Sequence, residues 1–233
     1  MPHASTRSAF LRGLRDGFPF LMVIAPFATL FGVIATEAGL DIFETLSFSV
    51  VVIAGAAQFT AIQLMSENAP TLVVLVSALA VNLRMAMYSA SITPHLGRLP
   101  LWKRALVAYF LVDQTYASAA FDFEKHPDQT LAEKFAYFMG VVVPICPPWY
   151  VFTLAGAWVG EAIPQELGLD FVLPIAFIAM IAPALRTGAH RGAALTATLV
   201  ALACAGLPWN LGLIVAALAG MIAGAELERR ALQ

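Results

Sequence analysis

With 233 residues, 60% of them hydrophobic, only 12% charged and a mean hydropathy of +0.81, the chain is too apolar and too sparsely charged for an ordinary soluble domain. The composition predicts an integral membrane protein, and the lack of a basic face excludes a nucleic-acid-binding module. The net charge of −2 comes from 13 Lys+Arg and 15 Asp+Glu gathered in a few short connections.

Residues 1–17 carry Arg7, Arg12 and Arg15 ahead of an apolar segment, with no small-residue cleavage site, which predicts a retained cytoplasmic amphipathic lead-in. A first span follows at Phe18–Ala35, with Pro19 and Pro26 inside it, and Glu37, Asp41 and Glu44 end it. Leu46–Met65 is apolar but broken at Gly55, and it holds Gln58, Thr60 and Gln63. In the next span, Leu72–Ile92, Arg84, Tyr88 and Ser91 share one helix face, with Asn82 and Ser89 on a neighbouring one. Arg98, Lys103 and Arg104 precede a span at about Ala105–Phe121 carrying Asp113, Gln114, Thr115 and Tyr116, and Asp122–Lys134 reads as a charged loop. Phe135–Trp158 is interrupted by Pro144, Pro147 and Pro148. The remaining spans are Phe171–Leu185, Ala193–Leu207 and Trp209–Ala225.

The expected fold is an all-α integral membrane protein, a single polytopic domain over 1–233 with six to eight hydrophobic segments, two of them broken or re-entrant. Lys and Arg accumulate in short cytoplasmic loops. If Leu46–Met65 and Phe135–Trp158 each enter and leave by one side, all four basic connections, the two termini, Gly97–Arg104 and Arg186–Arg191, become cytoplasmic. Irregular backbone at membrane depth is tolerated where protein buries it or it lines a cavity, and these two segments are the interrupted ones. Cysteines at Ser66 or Asn68 would then be labelled from outside. The similar placement of the two broken segments hints at an internal duplication.

Polar groups at membrane depth are costly, about 2.5 to 3.5 kcal/mol for an arginine at a helix centre, and mark functional positions. Gly55 opens backbone N–H groups, and Gln58 offers an amide to a substrate or to a neighbouring helix. Arg84 can take a carboxylate bidentately or pair structurally, and Asp113, the only acid inside a predicted span, can pair with it or carry a proton. Asn82, Tyr88 and Tyr116 are weaker candidates. Gly156-xxx-Gly160 and Gly220-xxx-Gly224 allow close helix approach. No nucleophile elbow, phosphate loop, His-x-x-x-His or Cys-x-x-Cys is present, and Cys146 and Cys204 read as small buried hydrophobes. The expectation is therefore no enzyme, no metal and no cofactor.

At Ala54-Gly55-Ala56-Ala57-Gln58-Phe59, Val81-Asn82-Leu83-Arg84 and Tyr88-Ser89-Ala90-Ser91 the sequence resembles the AzlC family of branched-chain amino acid permeases. The likeness extends from Pro26-Phe27 through Leu99-Pro100 to Asp113-Gln114. Met85 and Gln114 depart from residues common in that family, His and Glu, which leaves Asp113 as the coupling residue. The resemblance implies a bacterial inner-membrane exporter of neutral amino acids such as leucine, isoleucine, valine or methionine, working with a small AzlD-type membrane subunit. Its substrate site would draw on Gly55, Gln58, Asn82, Arg84 and Tyr88. A channel or small-solute facilitator and a non-transporting assembly subunit are the competing readings.

Overall fold

The computed structural model describes residues 5–162, 185, 187–207 and 211–231. They form helices α1 (Thr6–Gly17), α2 (Leu21–Glu37), α3 (Ile42–Val51), α4 (Gly55–Ser66), α5 (Thr71–Leu96), α6 (Leu101–Tyr109), α7 (Asp113–Lys125), α8 (Leu131–Val142), α9 (Cys146–Ala162), α10 (Gly188–Ala203) and α11 (Leu211–Ala231). No strand occurs among the described residues. Thr6–Glu37, Thr71–Leu96 and Leu131–Ala162 are long and apolar enough to cross a membrane. The chain divides into two compact units, Met1–Ile62 with Ala78–Pro164, and Gln63–Ser77 with Gln165–Gln233.

The first unit is built on two kinked helices of matching construction. Helices α1 and α8 each have 12 residues and α2 and α9 each have 17. A one-turn 3-10 helix, Phe18–Phe20, joins the first pair and the turn at residues 143–145 joins the second, with Pro19 and Pro144 at corresponding places. Helix α1, the expected lead-in, begins at a Ser5 cap that accepts from the Ser8 N–H, and it packs along α8. Glycines let the two backbones touch. Gly13 faces Tyr137 and Gly140 faces Phe10, while Gly32 faces Ala157 and Gly156 faces Thr29. Residue numbers rise together along this seam, so the kinked helices run parallel.

This geometry overturns the expectation that Phe135–Trp158 turns back on itself. The three prolines do not reverse the chain. Pro144 lies in the kink, and Pro147 and Pro148 occupy the first turn of α9, where a missing N–H removes no helical hydrogen bond. The duplicated feature is accordingly the kinked helix itself. Phe135–Trp158 matches the first span rather than the first broken segment.

The break expected in Leu46–Met65 is where the sequence places it. The Asp41–Glu44 capping box starts α3, the helix stops at Val51, and α4 restarts at Gly55. Gln58 Nε2 donates to Ser49 Oγ at 2.9 Å. In a continuous helix these two residues would lie about 13 Å apart along the axis, so the chain must fold back at residues 52–54. Phe31 of α2 accordingly meets both arms, Phe48 at 6.0 Å and Phe59 at 5.5 Å between ring centroids.

A second hairpin stands where a single span was expected at Ala105–Phe121. Helix α6 ends at Tyr109 and α7 begins at Asp113. The buried Thr115 hydroxyl closes the break between them, accepting from the Val112 N–H and donating to the Phe110 carbonyl. Lys103, early in α6, lies 4.8 Å from the Phe135 ring, and Phe123, late in α7, lies 6.3 Å from the Tyr137 ring, so both arms open at the start of α8. The expected loop Asp122–Lys134 shrinks to residues 126–130 between α7 and α8. At roughly 14 Å and 20 Å, neither arm could cross a hydrocarbon core of about 30 Å. Single cysteines at Arg98 and Asp128, in a Cys146→Ser/Cys204→Ser background, should both react with an impermeant maleimide from the same side of the membrane. Reaction from opposite sides would make Leu101–Lys125 a crossing.

In the second unit α10 and α11 form an antiparallel pair. Gly220 packs on Ala193 and Ala197 and Gly224 on Ala193, which gives the Gly220-xxx-Gly224 face its partner. Arg229 and Arg230 both bond Glu226 and hold its carboxyl below the usual range. The span expected at Phe171–Leu185 lies outside the described residues except for Leu185.

Candidate functional site

The two hairpins of the first unit reach their tips together. Tyr109, the last residue of α6, donates its hydroxyl to the Val50 carbonyl at 2.6 Å and lies 2.8 Å from the Tyr150 hydroxyl of α9. Val50 sits in the last turn of α3, where carbonyls have no partner within the helix, so Tyr109 serves as a side-chain cap from the other hairpin. Two helices start at this level, α4 at Gly55 and α7 at Asp113. Gly55 leaves room for two aromatic rings. A Cβ there would lie 2.7 Å from the Phe27 ring and 2.9 Å from the Trp149 ring.

Polar side chains form two clusters around this level. The first is the hairpin mouth between α3 and α4, where Ser49 Oγ accepts from Gln58 and stands 3.3 Å from Thr153 Oγ1 of α9. Thr45, Ser49, Gln58 and Thr153 are wholly shielded from solvent. Among the described residues Gln58 Oε1 and Thr45 Oγ1 nevertheless have no hydrogen-bond partner. Leaving such an acceptor bare costs about 1–3 kcal/mol, so these oxygens are available to a ligand or a water.

The second cluster lies between α5 and α7. Arg84 Nη2 is 3.0 Å from Asp113 Oδ2, and the Tyr88 hydroxyl donates to Asp113 Oδ1 at 2.9 Å. Tyr88 stacks on Tyr116 with centroids 4.2 Å apart, and the Tyr116 hydroxyl donates to Ser91. Helix α5 is amphipathic in the way this needs. Leu79, Leu83 and Met87 are exposed, and Arg84, Tyr88 and Ser91 reach α7. The ion pair keeps about a third of each side chain exposed. Among the described residues Arg84 Nε is buried without a partner, so half of the guanidinium fork is unused there, and Asn82 Oδ1 is unpartnered as well.

Of the residues singled out in the sequence, the structure brings Arg84, Tyr88 and Asp113 into direct contact. Gln58 joins Ser49 and Thr153 instead, Gly55 packs between aromatic rings, and Asn82 makes no side-chain hydrogen bond among the described residues. Tyr109, Tyr150, Ser49 and Thr153 escaped the sequence reading. For Ser49 and Thr153, lone hydroxyls in apolar helices were the available signal. Among the described residues no group of His, Cys, Asp and Glu could hold a metal.

Long apolar helices and two half-length hairpins define an all-α integral membrane protein, with polar clusters set among apolar packing. The AzlC protein family model matches residues 19–163, more than half the chain and including both hairpins. The chain belongs to the AzlC family. It is 27% identical to the inner membrane protein YgaZ of Escherichia coli, over 93% of this chain and 88% of the relative. It is 30% identical to an uncharacterized membrane protein of Archaeoglobus fulgidus over 94% and 95% respectively. An uncharacterized membrane protein of Helicobacter pylori is 27% identical over 96% and 98%. No solved structure matches the chain.

Proposed function

We propose that this protein is a secondary transporter that exports neutral amino acids, branched-chain ones or methionine, across the inner membrane. The half-used Arg84 fork beside Asp113 and Tyr88 is the observation that carries the reading. A zwitterion requires an anion site and a cation site. The substrate carboxylate takes Arg84 through Nε, which has no partner among the described residues, as a guanidinium binds carboxylates in pairs of parallel bonds. The ammonium takes acceptors such as Gln58 Oε1, the carbonyls released at residues 52–54 or Asn82 Oδ1. Aromatic and apolar side chains around Gly55 receive the aliphatic tail.

Coupling follows from competition for Arg84. A proton on Asp113 cancels the charge that holds Arg84 Nη2 and frees the whole fork for substrate, while deprotonation draws the arginine back. Alternating access then rests on movement of the hairpins, whose broken ends meet at Tyr109 and Val50. The basic residues of the first unit, Arg12, Lys103, Lys125 and Lys134 among them, gather at the end where α8 begins. Glu37, Asp41 and Glu44 lie at the other end, with no Lys or Arg from Thr36 to Thr45. On the positive-inside rule the basic end is cytoplasmic, which puts the N-terminus inside, and the C-terminus follows from Arg229 and Arg230. A small AzlD-type membrane subunit is the expected partner.

The test is counterflow of labelled leucine and methionine in proteoliposomes holding this chain alone or with its small partner. Saturable exchange is expected, with Arg84→Ala reducing it about tenfold or more, because a hydrogen bond to a charged group contributes about 1.5–3 kcal/mol. Exchange unchanged by Arg84→Ala removes the carboxylate site. Half-length hairpins also suit a channel, and non-saturable flux without counterflow would select that reading.

A further inference from the structure

The basic end of the first unit holds a feature that the transport reading does not use. Between α1 and the end of α7 lies an open cleft of about 480 Å³, lined by Ser8, Arg12, Arg15, Asp16 and Asp122 with Leu11, Phe121, Lys125 and His126. Its two acids are already engaged. Asp122, almost fully buried, receives Arg12 through Nε at 2.9 Å and Nη2 at 3.2 Å, and Gln129 Nε2 at 2.8 Å. His126 Nδ1 stands 3.0 Å from the same carboxylate. Asp16 accepts the Tyr137 hydroxyl at 2.9 Å. Arg15 and Lys125 are exposed, and among the described residues neither is paired with a carboxylate.

The apolar surroundings fix the depth of this pair of cations. Leu11 is 50% exposed and Phe121 68%, both inside the cleft, and Phe18 and Met22 continue an exposed apolar face one and two turns beyond Arg15. Lys125 follows Phe121 by one turn and reaches back over its ring at 6.0 Å. Cations one turn from an exposed apolar belt stand at the level where membrane headgroups begin, with their stems along apolar surface. A ligand suited to this cleft carries a phosphate toward Arg15 and Lys125 and an acyl chain along Phe121 and toward Phe18 and Met22.

We infer that the cleft between α1 and α7 is a binding site for an anionic phospholipid, with Arg15 and Lys125 holding the phosphate. The site sits on the junction of α1 with the α6–α7 hairpin, so an occupied cleft braces that hairpin against the kinked helix.

The experiment uses the full chain purified in neutral detergent, with phosphatidylglycerol and phosphatidylcholine titrated against each other and bound lipid counted by native mass spectrometry. Phosphatidylglycerol is expected to be retained selectively. The double variant Arg15→Gln/Lys125→Gln should bind it about 30-fold more weakly, from roughly fivefold for each cation near a headgroup. Arg98→Gln/Arg104→Gln removes the same charge from the basic end outside the cleft and should bind like the unchanged chain. Equal weakening in both variants, or no preference over phosphatidylcholine, overturns the site. Displacement by millimolar inorganic phosphate with no need for an acyl chain overturns the lipid in favour of a soluble phosphate. Because the double variant tests binding only if it folds, a photoactivatable phosphatidylglycerol on the unchanged chain supplies a second measurement. Its adducts should map to α1 and α7, and adducts confined to other helices reject the assignment.

Discussion

Replacing Gly156 with alanine should lower the thermal unfolding midpoint of the purified protein by on the order of 10 °C, while Gly188→Ala changes it by about a degree or less. The reason is what a Cβ would meet. At Gly156 it would lie 2.7 Å from the Thr29 carbonyl carbon and 2.9 Å from its Cα, which are backbone atoms that no rotamer change can move. At Gly188 it would meet nothing within 4 Å. Overpacking typically costs about 1–3 kcal/mol where side chains can adjust, and backbone contact puts Gly156 at the upper end. Between helices in a lipid environment, packing supplies much of the attraction, so separating α2 from α9 removes what holds the two kinked helices together. Gly32 faces Ala157 and Gly156 across the same seam, with a built Cβ 2.6 Å from the Ala157 nitrogen. An unchanged midpoint for Gly156→Ala would mean that the seam is looser than described. The measurement is differential scanning fluorimetry in one detergent for all variants.

How far the sequence carried the fold can be judged at its breaks. Gly55 and Gln58 in an apolar run marked the first hairpin, because a glycine favours a break and a buried amide demands a partner. The three prolines at residues 144–148 gave the same signal for a different structure. What separates the cases is position: a proline in the first turn of a new helix costs no hydrogen bond, and no single-sequence pattern tells a kink from a reversal. The second hairpin carried almost no mark, since its break at residues 110–112 contains neither Gly nor Pro and is closed by Thr115, a common residue. For the site, the i, i+4, i+7 stripe of Arg84, Tyr88 and Ser91 and the acid at Asp113 were legible, because helical periodicity fixes a face and charge demands a partner. The Tyr109–Val50 contact and the Ser49–Gln58–Thr153 cluster were not, because each joins segments brought together only by folding.

Asp113→Asn should abolish stimulation of transport by a pH gradient while leaving counterflow of labelled substrate in place. Asp113 opens α7, accepts the Tyr88 hydroxyl and stands 3.0 Å from Arg84. A proton taken up by Asp113 cancels the charge that faces Arg84 and so releases the guanidinium. Under the proposed mechanism that release is the step that couples proton entry to substrate exit. Asparagine keeps the shape and still accepts from Tyr88, but it carries no charge to be cancelled, and Arg84 is left free for substrate at every pH. Exchange driven only by labelled and unlabelled substrate needs no proton and should continue at no less than about half its rate; net export against a gradient should vanish. Proteoliposomes with an imposed pH step, compared with the same vesicles in counterflow, separate the two. If the pH step still drives export in Asp113→Asn, the coupling group lies elsewhere. If counterflow is lost as well, the Arg84–Asp113 pair holds the hairpin in place and its charge carries no coupling role. Tyr88→Phe refines the choice, since it removes one bond to the carboxylate without touching its charge. Coupling should then persist, and a complete loss would point to the hydroxyl itself as part of the proton path.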